Sequence, residues 1–369
     1  MRVTDAQMHR DMGRAIANSL VHLDRYQLQA ATGRRFQKAS EDPGSTVQGQ
    51  KLQTMLDQNA TYQNNVHDGL HWLAATEAPM ASVGELLTQL KETALRGSSD
   101  TAEDHNTMAA FVDQLLTEII SHANATDGDR YVFAGFATNT APYAASSTVT
   151  GETFRATLGA EVDLAQTGLE RGSVALTNAQ GSLTYREGVD YRVDYSTGRI
   201  EALVGGALTN ATDYRVSYKT TGPNTVTAAA PIAGDIVRQL GPERTEPVNM
   251  TGPQVFADGG NVFQIAIDLK NALRRGDMPR TRQLLQSIDD ASAHVAAQTG
   301  LMGARSAAFE SQRIMLETDE LALKAHLSQV QDADLPDVML KLTAQQNAYQ
   351  AALGATSRMF QMSLANFLQ

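Results

Sequence analysis

Apolar positions recur every three or four residues at both ends of the chain and every two residues in its middle. The pattern predicts helices flanking a β-rich block. Residues 5–32 place Met12, Ile16, Leu23, Tyr26 and Ala30 on one helical face and run into Gly33, a stop signal. Ser40-Glu41-Asp42-Pro43-Gly44 is turn chemistry. In a second block, ending near Arg96, Leu52, Val66, Leu73, Met80, Leu87 and Ala94 fall seven or fourteen residues apart. Met55, Tyr62, Val83 and Leu90 are their companions. Pro79 is expected to kink or divide that helix. After a turn at Gly97-Ser98-Ser99, Met108, Phe111, Val112, Leu115, Leu116 and Ile119 mark a third helix.

The period changes near Tyr131 and stays short to about Thr227. Val189, Tyr191, Val193 and Tyr195 share one predicted strand face, with Asp190, Arg192 and Asp194 on the other. Ser196-Thr197-Gly198 offers a three-residue hairpin loop. The stretch 189–195 resembles 212–218, which two related strands explain without a repeat architecture.

Helices resume near Asn261, where Phe263, Ile265, Ile267, Leu269 and Leu273 give an apolar start. Ile288, Val295, Met302, Phe309, Leu316, Leu323 and Val330 then follow at unbroken seven-residue spacing. That run suits a helix of some 43 residues, roughly 65 Å long. Pro336 can occupy the first turn of a final helix. Within it, Leu342 to Gln369 carry one charge, Arg358. Met339, Leu353, Phe360 and Phe367 form one apolar line, and Leu342 and Tyr349 the adjacent one. A helix facing water normally shows charge on its outer face, so this one is dressed for packing against protein.

The fold expected is mainly α with an inserted β domain. Both chain halves would form a long antiparallel helical rod, with the terminal helices paired as a coiled coil. The domains expected are an assembly helix at 1–40, half a helical rod at 41–140, a β-rich outer domain at 141–254, the other half rod at 255–331 and a second assembly helix at 332–369.

A net charge of −11 with no basic cluster argues against nucleic acid and anionic membranes as partners. No apolar run is long enough for a membrane span, and charges scattered through residues 1–30 do not fit a secretory signal. Zero cysteines fits a cytoplasmic protein and equally one exported without disulfide chemistry. Aromatic residues make only 6% of the chain, so its cores must be aliphatic, as in long helices.

Candidate chemistry is sparse. His67 and His71 have the spacing of a zinc-binding helix. Asp68 stands where a general base would be Glu, Gly69 weakens the helix, and no third ligand follows. Two exposed histidines beside a packing residue, Trp72, is the preferred reading over a surface metalloenzyme. No phosphate-binding loop and no nucleophile elbow occurs. Asp332 and Asp334 suit a helix N-terminus without any catalytic role. The four Asn-x-Ser/Thr triplets, at Asn59, Asn124, Asn210 and Asn249, are expected by chance. No enzyme activity, cofactor or metal is expected.

Several motifs in order resemble the flagellin superfamily, and within it the branch that joins hook to filament. They are Met1-Arg2-Val3-Thr4, Leu28-Gln29-Ala30-Ala31-Thr32-Gly33-Arg34-Arg35, Ser40-Glu41-Asp42-Pro43, Tyr62-Gln63-Asn64-Asn65-Val66 and Arg130-Tyr131-Val132-Phe133-Ala134-Gly135. In the second half, Gly259-Gly260-Asn261-Val262-Phe263, Gly303-Ala304-Arg305, Asp332-Ala333-Asp334-Leu335, 346–353 and 363–368 also fit. The resemblance covers about 1–140 and 255–369. It implies an extracellular axial structural subunit of the bacterial flagellum, exported through the flagellar type III apparatus. The filament subunit flagellin is the nearest alternative, and the Arg-Val-Thr start and 358–364 tail favour the junction branch. The partners implied are other copies in a ring-like layer, flagellin, the other junction protein (hook-associated protein 1) and an export chaperone. The assembly residues expected are Met12, Ile16, Leu23, Leu342, Tyr349, Leu353, Phe360, Leu364 and Phe367. The chain ends are expected to be loosely ordered until other copies surround them.

Overall fold

The structure, a computed structural model, describes residues 5–99, 104–229 and 231–367; the side chains of 5, 6, 8, 9 and 359–367 lie outside this description. The chain divides into two compact units, one of residues 1–63 with 314–369 and one of residues 64–313. The whole is mainly helical with β structure in its middle, as the periodicities predict.

The first unit contains α1 (Asp5–Thr32), the beginning of α2 (Pro43–Gly97), the end of α6 (Met278–Gln331) and α7 (Leu335–Phe367). Helix α1 stops where Gly33 takes a left-handed conformation (φ 66°), its N–H donating to the Gln29 carbonyl at 2.9 Å. The turn that follows starts α2. Asp42 accepts from the Ser45 N–H at 3.0 Å, and Pro43 opens the helix, where its missing N–H costs nothing. That amide bond is the main reason the Asp42 carboxyl is held below its usual pKa. Asn59 occupies the heptad line between Leu52 and Val66 and is only 5% exposed. Its Nδ2 donates to the Leu316 carbonyl at 3.1 Å, and Gln63 reaches Glu320 at 2.8 Å.

In the second unit α2 and α6 also run antiparallel, with Gly69 against Phe309 and Lys91 paired to Asp289 at 2.6 Å. The predicted lines are buried here: Val66, Leu73, Met80, Leu87 and Ala94 on α2, and Ile288, Val295, Met302 and Phe309 on α6. Of the two outcomes expected at Pro79, a kink or a division, division does not occur: α2 runs unbroken through it. The flanking residues Leu73, Met80 and Val83 are fully buried, and that packing holds the helix across the one lost hydrogen bond. Helix α3 (His105–Ala123) packs on α5 (Val262–Arg275), which is capped by Asn261 and stopped by left-handed Gly276. A short α4 (Gly252–Phe256) precedes it.

Strands fill the segment between α3 and α4, from β1 (Thr126–Asp127), paired with β2 (Arg130–Tyr131), to β11 (Val237–Gln239), paired with β12 (Thr245–Pro247). β3 (Tyr143–Ser146) pairs with β10 (Thr225–Ala228). The centre is two three-stranded antiparallel sheets sharing one core. β9 (Asp213–Lys219) lies between β4 (Thr148–Arg155) and β6 (Ala175–Asn178). β8 (Arg199–Ala202) lies between β5 (Glu161–Asp163) and β7 (Tyr191–Asp194). The related stretches become β7 and β9, which turn Tyr191 and Val193, and Tyr214, Val216 and Tyr218, into this core.

Two local expectations are corrected. The hairpin closes at Asp194 opposite Arg199, leaving four loop residues, because Gly198 (φ 68°) returns its N–H to the Asp194 carbonyl. Strand β7 begins only at Tyr191, so Val189 is exposed and Asp190 is buried. Asp190 is held inward because its carboxylate accepts from the N–H groups of Arg186 and Ala207, which also lower its pKa.

Two buried features join helices to β structure in this unit. Phe133, Tyr143, Phe256 and Phe263 form an aromatic cluster with ring separations from 4.7 to 5.8 Å. Asp113 on α3 receives Lys270 at 2.8 Å and Arg274 at 2.9 Å, both from α5. Lys270, with a fully buried side chain, also donates to the Pro223 carbonyl, and Arg274 donates to that of Thr167 at 3.2 Å.

Candidate assembly surface

The surface with unfinished packing belongs to the first unit. On α1, Met12, Ile16, Ser19, Leu23, Tyr26 and Ala30 alternate at four- and three-residue spacing, and all are half-buried. Helix α7 answers with buried Val338 and half-buried Leu342, Gln345, Tyr349, Ala352 and Thr356 at the same spacing. The two helices pack along these lines. Gln345 Nε2 ties them by donating to Ser19 Oγ at 2.8 Å.

This pairing is the one expected for the terminal helices, and in it each covers part of the other's stripe. The cover is partial for a geometric reason. A pair of helices can shield only one side of each a/d position, so the seam residues stay half exposed.

Met12, Ile16, Leu23, Leu342 and Tyr349 all sit in this seam. Leu353 does not; it is 44% exposed on the flank, as are Leu335 (46%), Met339 (52%) and Leu340 (72%). Phe360, Leu364 and Phe367 fall in the last part of α7, where side chains lie outside the described residues, as does the Met1-Arg2-Val3-Thr4 motif. The sequence pattern missed Ser19, Gln345 and Thr356, polar residues that fill the gaps in the apolar spacing. Continuing the three/four alternation through polar positions would have found them.

Below the seam, the loop after α1 and the loop before α7 are bonded to each other. The Arg35 N–H donates to the Gln331 carbonyl at 2.7 Å and the Ala333 N–H to that of Gly33 at 2.8 Å. Arg35 also pairs with Asp42 at 2.9 Å.

The histidines form no comparable site. His67 is exposed, and His71 lies 3.3 Å from Asp127 with its side chain 66% exposed. Among the described residues, no three His, Cys, Asp or Glu side chains gather where they could hold a metal ion. Trp72 is 4% exposed, beneath the Arg130 guanidinium at 4.7 Å from its ring. Gly69 serves close helix packing, since a Cβ there would meet the Phe309 ring. Among the described residues, no helix is long and apolar enough to cross a membrane.

In the sequence, two helical chain ends that share a half-covered seam flank an inserted β-rich segment, the plan of an elongated structural subunit. Residues 3–138 match the bacterial flagellin N-terminal helical region and 285–368 the bacterial flagellin C-terminal helical region, together more than half of the chain. The chain belongs to the flagellin family.

Residues 122–233 match a family described only as a protein of unknown function. Among curated relatives, flagellar hook-associated protein 3 of Escherichia coli (strain K12) is 29% identical over 146 residues, 39% of this chain and 46% of that protein. The flagellar filament 30.7 kDa core protein of Treponema maltophilum is 23% identical over 163 residues, 42% of this chain and 55% of that protein. The matched segments thus span about half the length of these relatives. A solved putative flagellar hook-associated protein from Vibrio parahaemolyticus shares the fold, with a TM-score of 0.51 and 17% identity over 79% of this chain and all of that one.

Proposed function

We propose that this chain is a structural subunit of the bacterial flagellum forming the junction layer between hook and filament. The observation that carries the reading is the half-covered α1–α7 seam with exposed leucines and methionine beside it. Such a surface gains most from neighbours that exclude the remaining water. The match to hook-associated protein 3 supports the position at the junction over other places in the flagellum.

In this reading residues 1–40 and 332–369 are the assembly helices, and 141–254 face outward. Met12, Ile16, Leu23, Leu342, Tyr349, Leu353, Phe360, Leu364 and Phe367 supply the contacts. The partners are copies of the same chain in a ring-like layer, hook-associated protein 1 on the hook side and flagellin on the filament side. An export chaperone holds the C-terminal helix before passage through the flagellar type III apparatus to the cell exterior. The chain acts without catalysis.

Deleting the gene and imaging the cells tests this. Hooks lacking filaments, with flagellin shed into the medium, are expected; filaments attached in normal number would overturn it. The match to a filament core protein favours a second reading, that of a filament subunit. Seeded polymerisation separates the two, because a filament subunit elongates a seed into long filaments and a junction subunit does not.

A further inference from the structure

Helix α1 has a second open face. Val21 and Leu28 are 67% and 42% exposed, and they line a groove of about 330 Å³ with Asp24, Arg25, Lys38 and Glu41. Each stands two residues from seam positions, Val21 from Ser19 and Leu23, Leu28 from Tyr26 and Ala30. Two residues are about 200° of helix rotation, so this groove faces away from the chain's own α7.

The first turns of α7 carry a ridge of matching character. Leu335 and Met339, four residues apart on one face, are about half exposed. Asp334 and Asp337 flank them at the helix N-terminus, where Asp334 accepts from the Val338 N–H through its carbonyl. Among the described residues, Arg25 and Lys38 in the groove have no ion-pair partner.

We propose that the groove receives the start of α7 from a second copy of this chain. Leu335 and Met339 seat between Val21 and Leu28, and the acidic cap lies beside Arg25 and Lys38. The apolar contacts supply the affinity and the charges fix which way the helix lies. The contact joins two different surfaces, so it repeats head to tail and generates a ring or helical array. This deepens the junction-layer reading and rests on it.

The absence of cysteine from the chain makes the test direct. Val21→Cys and Met339→Cys variants are produced together in cells lacking the native gene, and isolated flagella are oxidised. A disulfide-linked dimer is expected with the two variants together and with neither alone. Leu28→Cys with Leu335→Cys probes the same contact should the first pair stop filament growth. Filament-bearing flagella that contain either pair yet give no dimer overturn the proposal. The double variant Val21→Ser, Leu28→Ser should melt like the native monomer but reduce filament-bearing cells at least about tenfold. Normal filament numbers in that variant would also overturn it. Filaments in the deletion strain would refute the junction reading itself, whatever the cysteines do.

Discussion

Gly69 on α2 lies directly against the Phe309 ring on α6, and a Cβ at position 69 would fall 2.2 Å from Phe309 Cε1. The helix propensity lost by using glycine is the cost of bringing the two backbones together. Gly69→Ala should therefore destabilise the second unit by about 1–3 kcal/mol through overpacking. Gly84, on the same helix, has open space around it, and Gly84→Ala should gain roughly 0.5–1 kcal/mol. Denaturant unfolding of the two variants, which differ only in position, checks the contrast; equal shifts would contradict it.

The Asp113–Lys270–Arg274 cluster should be the most sensitive polar point of the fold. Asp113→Asn strands a fully buried ammonium and should cost about 3–5 kcal/mol. Lys270→Met should cost much less, because Asp113 keeps Arg274.

Burial is the larger influence on Lys270 and holds its pKa below the ordinary 10.5, with Asp113 opposing. From that lowered value up to 10.5 the unfolded chain binds more protons at this site than the folded chain. Its contribution to stability therefore rises with pH across that window and is level above it. Unfolding measured against alkaline pH should show this rise in the native protein and lose it in Lys270→Met.

Leu353 stands outside the α1–α7 seam, so Leu353→Asp should leave the monomer's melting curve unchanged within about 0.5 kcal/mol. The same variant should be synthesised and exported but build no junction. Filaments on cells carrying it would show that this flank of α7 makes no assembly contact.

Amide exchange in dilute monomer should be uneven. The half-buried seam, residues 12–30 and 338–356, should exchange fast, while α3 and α5, with buried Val112, Leu116, Ile119, Leu269 and Leu273, should be slow. Strong protection of 342–356 at low concentration would mean that the pair is complete without neighbours.

The long helices were legible because seven-residue spacing repeats often enough to fix a face. Ile288 through Phe309 all turned inward where the spacing placed them. Whether Pro79 would divide α2 was not legible locally, because the packing of Leu73, Met80 and Val83 around it keeps the helix whole. Asp190 misled because alternation was extended one residue beyond the strand, into a loop that uses the carboxylate as a hydrogen-bond acceptor. In the α1–α7 seam, spacing placed Met12, Ile16, Leu23, Leu342 and Tyr349. It could not show that Leu353 leaves the seam, since that depends on how α7 is rotated against α1.

The backbone bonds joining Gly33 to Ala333 and Arg35 to Gln331 have a consequence for the order of events. They fasten the bases of the two tails together, so the tails search for each other as if tethered by a short clasp, at high effective concentration. An incoming molecule thus meets two tails already held at one end, even while their upper turns open and close.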